Sequence, residues 1–483
     1  MTPPREPRNS QAQVPLLGIG IDFGTSNTAA AIFDGRVLTL VPLEADSPLM
    51  PSALYIDRDF LLTTGKDAIH RYVASNQRRK VELSSELLGE QRLGTGEVDG
   101  ETRLPTESPT HALYGKPLID ASMPGRLFRG IKRLLGNATL ERLSVFERSF
   151  RIVALVTPLL LRVRLEIERT IGAAISHASI GHPVNFEGVA QDHNEIALER
   201  LQEAYGHAGI QKQRPFPEPN AAVLSFLHAH PDARPERILS VDFGGGTLDF
   251  CLMQRDGSDY VVRGVHGVAL GGDHIDQQLF QRLLFPLLGK GERWIREVEG
   301  RTLDTLFPFD VYEDYLLNWT ISYMLNQNEF LTPVIDMKRK GGLFAPKFER
   351  LYELITQNYS YRVFQSLREC KEQLTADVRA TLDIPELDVL MELTRPDFNE
   401  MISPLLLKFQ AAVESALAQA DVKACDIDIV LRTGGSCLIP SVGTILENLF
   451  PGRVVQHDAF TSVAAGLAIA DYQSLTRTST TAS

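Results

Sequence analysis

Two distant stretches of the chain repeat one alternation of apolar and small polar residues. Near the N-terminus stands LLGIGIDFGTSNTAAAIFDGRVLTLVPL, and near the middle ILSVDFGGGTLDFCLMQRDGSDYVVRGV. Each is an apolar run ending in Asp-Phe-Gly, then small residues, a second apolar run, an Asp-Gly pair and a third apolar run. Asp-Gly between apolar runs signals a hairpin, because both residues tolerate φ > 0. Each copy therefore reads as three antiparallel strands, with the Asp and the Gly-rich turn between the first two. An internal echo of this kind predicts two lobes of one build.

Strand and helix signals follow each copy. After the first, Leu160, Val163, Ile167, Ile171 and Ala174 share a helical face within LLRVRLEIERTIGAAI. ASIGHPV then reads as a strand, and DHNEIALERLQEAYGHAGI as a helix stopped near Gly209. After the second, LRECKEQLTADV reads as a helix, DIDIVLR as a strand ending at Thr433-Gly434-Gly435-Ser436, and a helix restarts after Pro440. The expected division is a tail at 1–13 and lobe I at 14–236, with an inserted subdomain at about 50–150. Lobe II follows at 237–475, with an insert at about 281–395 and a C-terminal helix returning to lobe I. A Ser/Thr tail closes the chain at 476–483. Segment 84–112, acidic and rich in Gly and Pro, reads as an exposed insertion. The stretch 285–360 lacks a clean period and is expected to be mainly helical.

Composition narrows the class. The 483 residues are 43% hydrophobic and 23% charged, enough to bury large cores, with a net charge of −12. That balance speaks against nucleic-acid and anionic-membrane surfaces, which want basic patches. No run of about 18 apolar residues appears, so no membrane span is expected. The polar N-terminus lacks a secretory apolar region. Cys251, Cys370, Cys425 and Cys437 fit no zinc spacing and read as reduced, partly buried thiols, consistent with the cytoplasm. His228, His230 and Asp232 look like a metal cluster only faintly, and a polar helix end is the preferred reading.

Two facing Asp-Phe-Gly turns can hold a nucleotide. Glycines let backbone N–H groups approach phosphate oxygens, and the two carboxylates suit magnesium held through water. The hydroxyls of Thr25, Ser26 and Thr247 add phosphate or water contacts. The chain has no GxxxxGK[ST], so it is not a P-loop protein.

On these residues the chain resembles the seventy-kilodalton heat-shock chaperones. IGIDFGTSNTAAAIFDG is similar to their first phosphate loop and VDFGGGTLDF to their second. GIKRLLG resembles the segment of their catalytic lysine, and FPEPNAAVLSF their Glu-Pro-x-Ala-Ala helix start. GVALGGDHIDQQL resembles their Gly-Gly-x-x-Phe-Asp segment, and TGGSCLIPSV their adenosine loop. The matches keep the family's order from residue 16 to about 470. The resemblance implies an α/β, actin-like ATPase fold, ribonuclease H-like in each duplicated lobe, with ATP or ADP and Mg2+ in the cleft.

It further implies that Asp22 and Asp242 hold the magnesium shell, and that Gly24, Thr25 and Ser26 with Gly244, Gly245, Gly246 and Thr247 grip phosphates. Lys132 would orient the attacking water, and Glu218 would order water or magnesium. Gly271, Gly272, Gly434, Gly435 and Ser436 would line the nucleotide, with Lys371 and Thr375 beside the adenosine.

The chain departs from the family at the adenine helix, which offers Arg368, Lys371, Glu372 and Thr375, with Glu369 nearby. It also departs at the closing segment, where Phe460 replaces an Asp and Asp458 lies out of register. No peptide-binding domain is expected after the last helix, an architecture similar to short bacterial chaperone-like proteins of the YegD type. The expected function is a slowly hydrolysing, chaperone-like ATP switch read by a protein client or co-chaperone, with no nucleic acid or membrane partner. Its rivals are a non-hydrolysing nucleotide sensor and a small-molecule kinase. The kinase lacks a base, since the inner strand ASIGHPVNFEG offers no Asp before Glu187.

Overall fold

The computed structural model describes residues 16–481 except 85–86, 93–109, 115–118, 121, 189, 258 and 299. The tail at 1–13 and the centre of the 84–112 insertion lie outside the described residues.

The first copy forms β1 (Gly18–Phe23), β2 (Asn27–Phe33) and β3 (Leu38–Leu40), paired antiparallel. Helix α1 (Ile152–Ile171) leads to β4 (His177–His182), which pairs parallel with β1. Helix α2 (His193–His207) leads to β5 (Lys212–Pro217), parallel to β4, and α3 (Glu218–Ala229) follows. The turn after α2 passes through Gly209 at φ +93°, a conformation that costs glycine little.

The second copy repeats the topology. It forms β6 (Arg237–Phe243), β7 (Leu248–Asp256) and β8 (Asp259–Val268), again antiparallel. Helices α4 (Gly272–Leu279), α5 (Ser360–Ala376) and α6 (Arg395–Gln419) come next. Strand β9 (Ile429–Thr433) pairs parallel with β6. Helix α7 (Pro440–Leu449), strand β10 (Val454–Gln456) and helix α8 (Ser462–Thr481) complete the lobe. The sheet orders are β5-β4-β1-β2-β3 and β8-β7-β6-β9-β10. The expected two-lobed α/β fold, an actin-like duplication, is thus present.

The last helix of each half packs on the other half's sheet. Ala222, Val223 and Phe226 of α3 join Ile238, Cys251, Met253 and Leu431 of the second sheet. Ala464, Ala468 and Ile469 of α8 join Ala29, Ala31 and Phe33 of the first. The two helices meet where a Cβ on Gly466 would lie 1.8 Å from the Ala221 carbonyl. Only glycine fits there, which places the crossing of the lobes on bare backbone.

Several details differ from expectation. Helix α8 continues to Thr481, through the stretch read as a Ser/Thr tail. Helix α1 begins at Ile152, upstream of the periodic stretch that revealed it. The mainly helical 285–360 region also holds a hairpin, Arg293–Val298 with Arg301–Leu306. Cys425 is exposed, while the other three thiols are buried. Helix α6 is long and apolar enough to cross a membrane, but Phe398, Ile402, Phe409 and Val413 of it lie in the lobe II core. His228 meets Phe33 edge-on, and His230 stacks on Phe226.

Candidate nucleotide site

Asp22 and Asp242 are the penultimate residues of equivalent strands, β1 and β6, one residue before the two Gly turns. Among the described residues neither carboxylate makes an ion pair or a side-chain hydrogen bond. Asp242 keeps contact with cleft water, but protein crowds its other sides. That desolvation, with Asp249 and Glu218 adding to it, pushes the Asp242 carboxyl up to about 7. Burial also raises Asp22, helped by Glu218 and opposed by Lys132.

Lys132 lies in a short 3-10 turn, Ile131–Leu134, and is buried. Its Nζ meets Glu218 Oε1 at 2.6 Å. Glu218 opens α3 without capping it, and its carboxylate goes to the lysine instead. The basic stretch around Lys132 is therefore no solvated helix face at this position.

The two Gly turns face each other. A Cβ on Gly245 would stand 3.0 Å from Ser26 Oγ, and one on Gly24 2.3 Å from the Asn27 carbonyl. Gly244 N–H closes the second turn on the Thr247 carbonyl. Among the described residues the Gly245 and Gly246 amides have no protein acceptor, so they stay available to an anion. Gly271 presses on this turn, where a Cβ would lie 2.2 Å from the Gly245 carbonyl.

The adenosine loop closes on the same place. Ser436 Oγ donates to the Gly244 carbonyl at 3.0 Å, and Gly434 at φ +80° leaves room for the Asp242 carboxylate. Phe460, where the family has an Asp, lies against Gly435. Asp458 accepts from the Phe460 and Thr461 amides and so caps the entry to α8. Lys371 Nζ is tied to Asp276 and touches the Gly272 carbonyl at 3.5 Å. Thr375 returns its hydroxyl to the Lys371 carbonyl, 3.1 Å away. The adenine helix thus spends both expected side chains partly on protein.

The motif-based reading missed four residues near the site. Asp249 faces Asp242 across the β6–β7 hairpin, and burial raises its carboxyl, with Glu218 and Glu187 adding to the effect. The second Asp-Phe of DFGGGTLDF was its visible signal. Arg133 reaches the second Gly turn and pairs with Glu187 at 3.2 Å. Asp276, on α4, anchors both Lys371 and Arg368. Tyr205 buries a hydroxyl without a hydrogen-bond partner among the described residues, within electrostatic reach of Asp22 and Glu218. Arg133 and Asp276 lie inside matched segments, GIKRLLG and GGDHID, without having been singled out, and Tyr205 carries no motif.

Above the site the lobes touch. The Tyr72 hydroxyl donates to the Thr320 carbonyl, and Asn326 Nδ2 to the Arg79 carbonyl at 2.8 Å. The Arg129 guanidinium lies 5.2 Å over the Trp319 ring.

Comparison with known proteins agrees with this geometry. The family described as Hsp70 protein matches residues 116–287 and 357–471, more than half of the chain. "Heat shock 70 kDa protein BIP3" of Oryza sativa subsp. japonica is 24% identical over 436 residues, covering 90% of this chain and 53% of that protein. "Chaperone protein DnaK" of Mycoplasmopsis pulmonis (strain UAB CTIP) is 23% identical over 349 residues, covering 70% of this chain and 47% of that protein. The chain spans about half the length of the curated relatives it matches. With both Gly turns, the lysine–glutamate pair and the Gly434–Ser436 loop brought to one cleft, and with that family matching more than half of its length, this chain belongs to the Hsp70 family.

Proposed function

We propose that this chain is a magnesium-dependent, ATP-binding switch of the chaperone class that hydrolyses ATP slowly, and that a client or co-chaperone reads its lobe angle. The observation that carries the reading is the pair of facing Gly turns, each led by an unpaired carboxylate. Two uncompensated negative groups beside free backbone donors suit a divalent cation together with phosphate.

Asp22 and Asp242 would hold magnesium, which keeps several waters and needs few protein ligands. Bound there, it would neutralise charge on the phosphates. The chain's own residues would do the positioning that dominates phosphoryl transfer. Gly245 and Gly246 amides with Thr25 and Ser26 hydroxyls would fix phosphate oxygens. Lys132, oriented by Glu218, would place the attacking water and stabilise charge on the terminal phosphoryl group. Ser436 and the Gly434–Gly435 turn would hold the adenosine side. Nothing in the acidic balance favours a nucleic-acid or membrane partner, and the reduced thiols suit a cytoplasmic protein.

A non-hydrolysing sensor is the second reading, favoured by the engagement of Lys371 with Asp276. Magnesium-dependent phosphate release separates the two. Slow release by the wild type, lost in Asp242→Ala and Lys132→Ala, supports the switch. Binding of ATP without release moves the assignment to the sensor.

A further inference from the structure

Arg133 reaches the second Gly turn. Its stem passes Gly130, where an added Cβ would meet Arg133 Cδ at 3.9 Å and, from the first turn, Thr25 Cγ2 at 3.7 Å. Its head rests on the second, where a Cβ on Gly246 would stand 2.0 Å from Arg133 Nη2. The glycine at 246 is therefore what allows the guanidinium to lie on the turn. Nε faces Glu187 Oε1 at 3.2 Å in a pair open to water on both sides. Among the described residues the two Nη groups have no hydrogen-bond partner. The Gly245 and Gly246 amides beside them have no acceptor either.

Donors gathered at one point without an acceptor define a place for an anion. Lys132, the neighbouring cation, is buried and committed to Glu218. Arg133 is half-exposed and held only by a solvated carboxylate, which contributes little. A planar fork matches phosphate oxygens better than a point charge does.

We propose that Arg133 recognises the terminal phosphoryl group of the nucleotide and makes this cleft prefer a triphosphate over a diphosphate, with Glu187 holding the guanidinium when that group is absent. The inference rests on the nucleotide reading above. Arg133 then senses nucleotide state, while Lys132 serves the chemistry.

The test is calorimetric titration of the wild type, Arg133→Ala and Arg133→Lys with MgADP and with magnesium and a non-hydrolysable ATP analogue. The expected result is a loss of about tenfold in analogue affinity in Arg133→Ala, the scale of one charge-assisted phosphate contact, with ADP affinity held. Arg133→Lys, which keeps the charge but not the fork, should fall between. Equal losses for both nucleotides would show a structural role and overturn the proposal, as would unchanged analogue affinity. Wild-type protein that binds neither nucleotide overturns the underlying reading, and this inference with it. Wild-type binding of both, with no change in Arg133→Ala, removes this inference alone.

Discussion

Asp242 stands directly opposite Asp249 across the second hairpin, whereas Asp22, its counterpart in the first, stands opposite Ala29. The duplicated lobes are therefore chemically unequal at equivalent positions. At this hairpin position lobe II sets two carboxylates face to face where lobe I has one. Burial raises both carboxyls, and Asp249 raises Asp242 further, so this side of the cleft carries the harder charge to maintain.

That inequality predicts a pH signature in nucleotide-free protein. The folded Asp242 carboxyl titrates near 7, above the ordinary 3.8, so folding takes up a proton between those values. Stability from this source is present at acid pH and is lost as pH rises from about 4 to about 7. Asp242→Asn should flatten that fall and melt at a higher temperature than the wild type at pH 8. Thermal melts at both ends of the range read it. A wild-type slope kept unchanged in the variant would falsify the assignment to Asp242.

The Lys132–Glu218 pair should be worth more to phosphate release than to the fold. Lys132→Ala strands Glu218 among Asp22 and Asp242, and unfolding should ease by about 2 kcal/mol, the cost of leaving one partly buried charge unpaired. Phosphate release should drop by about a hundredfold or more, as for loss of one preorganised electrostatic group. Glu218→Gln, which keeps a hydrogen-bond acceptor, should retain more of both. Denaturant melts beside single-turnover release distinguish the two effects.

At the crossing of α3 and α8, one methyl group is too many. Gly466→Ala would place its Cβ 1.8 Å from the Ala221 carbonyl. Backbone cannot rotate away as a side chain does, so the helices must separate. Overpacking of this kind costs about 3 kcal/mol. Chemical denaturation measures it, and a variant as stable as wild type would mean that the crossing is looser than described.

Lys371 should prove a structural residue as much as a nucleotide one. Asp276 is only 2% exposed and relies on Lys371 and, more distantly, on Arg368. Lys371→Ala should destabilise by about 3 kcal/mol, because a buried carboxylate loses its main partner. Adding Asp276→Asn should recover part of that loss. If the single variant weakens nucleotide affinity but melts like wild type, Lys371 belongs to the adenosine site first.

Local pattern settled much of this protein. Alternating apolar runs broken by Asp-Phe-Gly and Asp-Gly determined the strands, because both the strand period and the turn conformation are properties of neighbouring residues. Their repetition determined two lobes, and the glycines marked where the backbone turns tightly between the first two strands of each copy. Asp22, Asp242 and both phosphate turns were legible for that reason. What only the tertiary structure decided depends on residues far apart in the chain. Glu218 lies 86 positions from Lys132, and Asp276 lies 95 from Lys371. The exchange of α3 and α8 between sheets is decided only when both faces exist to be covered. Arg133 reads as one more cation of a basic stretch until the fold lays its guanidinium on Gly246, because burial and charge environment are set by everything that packs around a side chain and not by its neighbours in sequence.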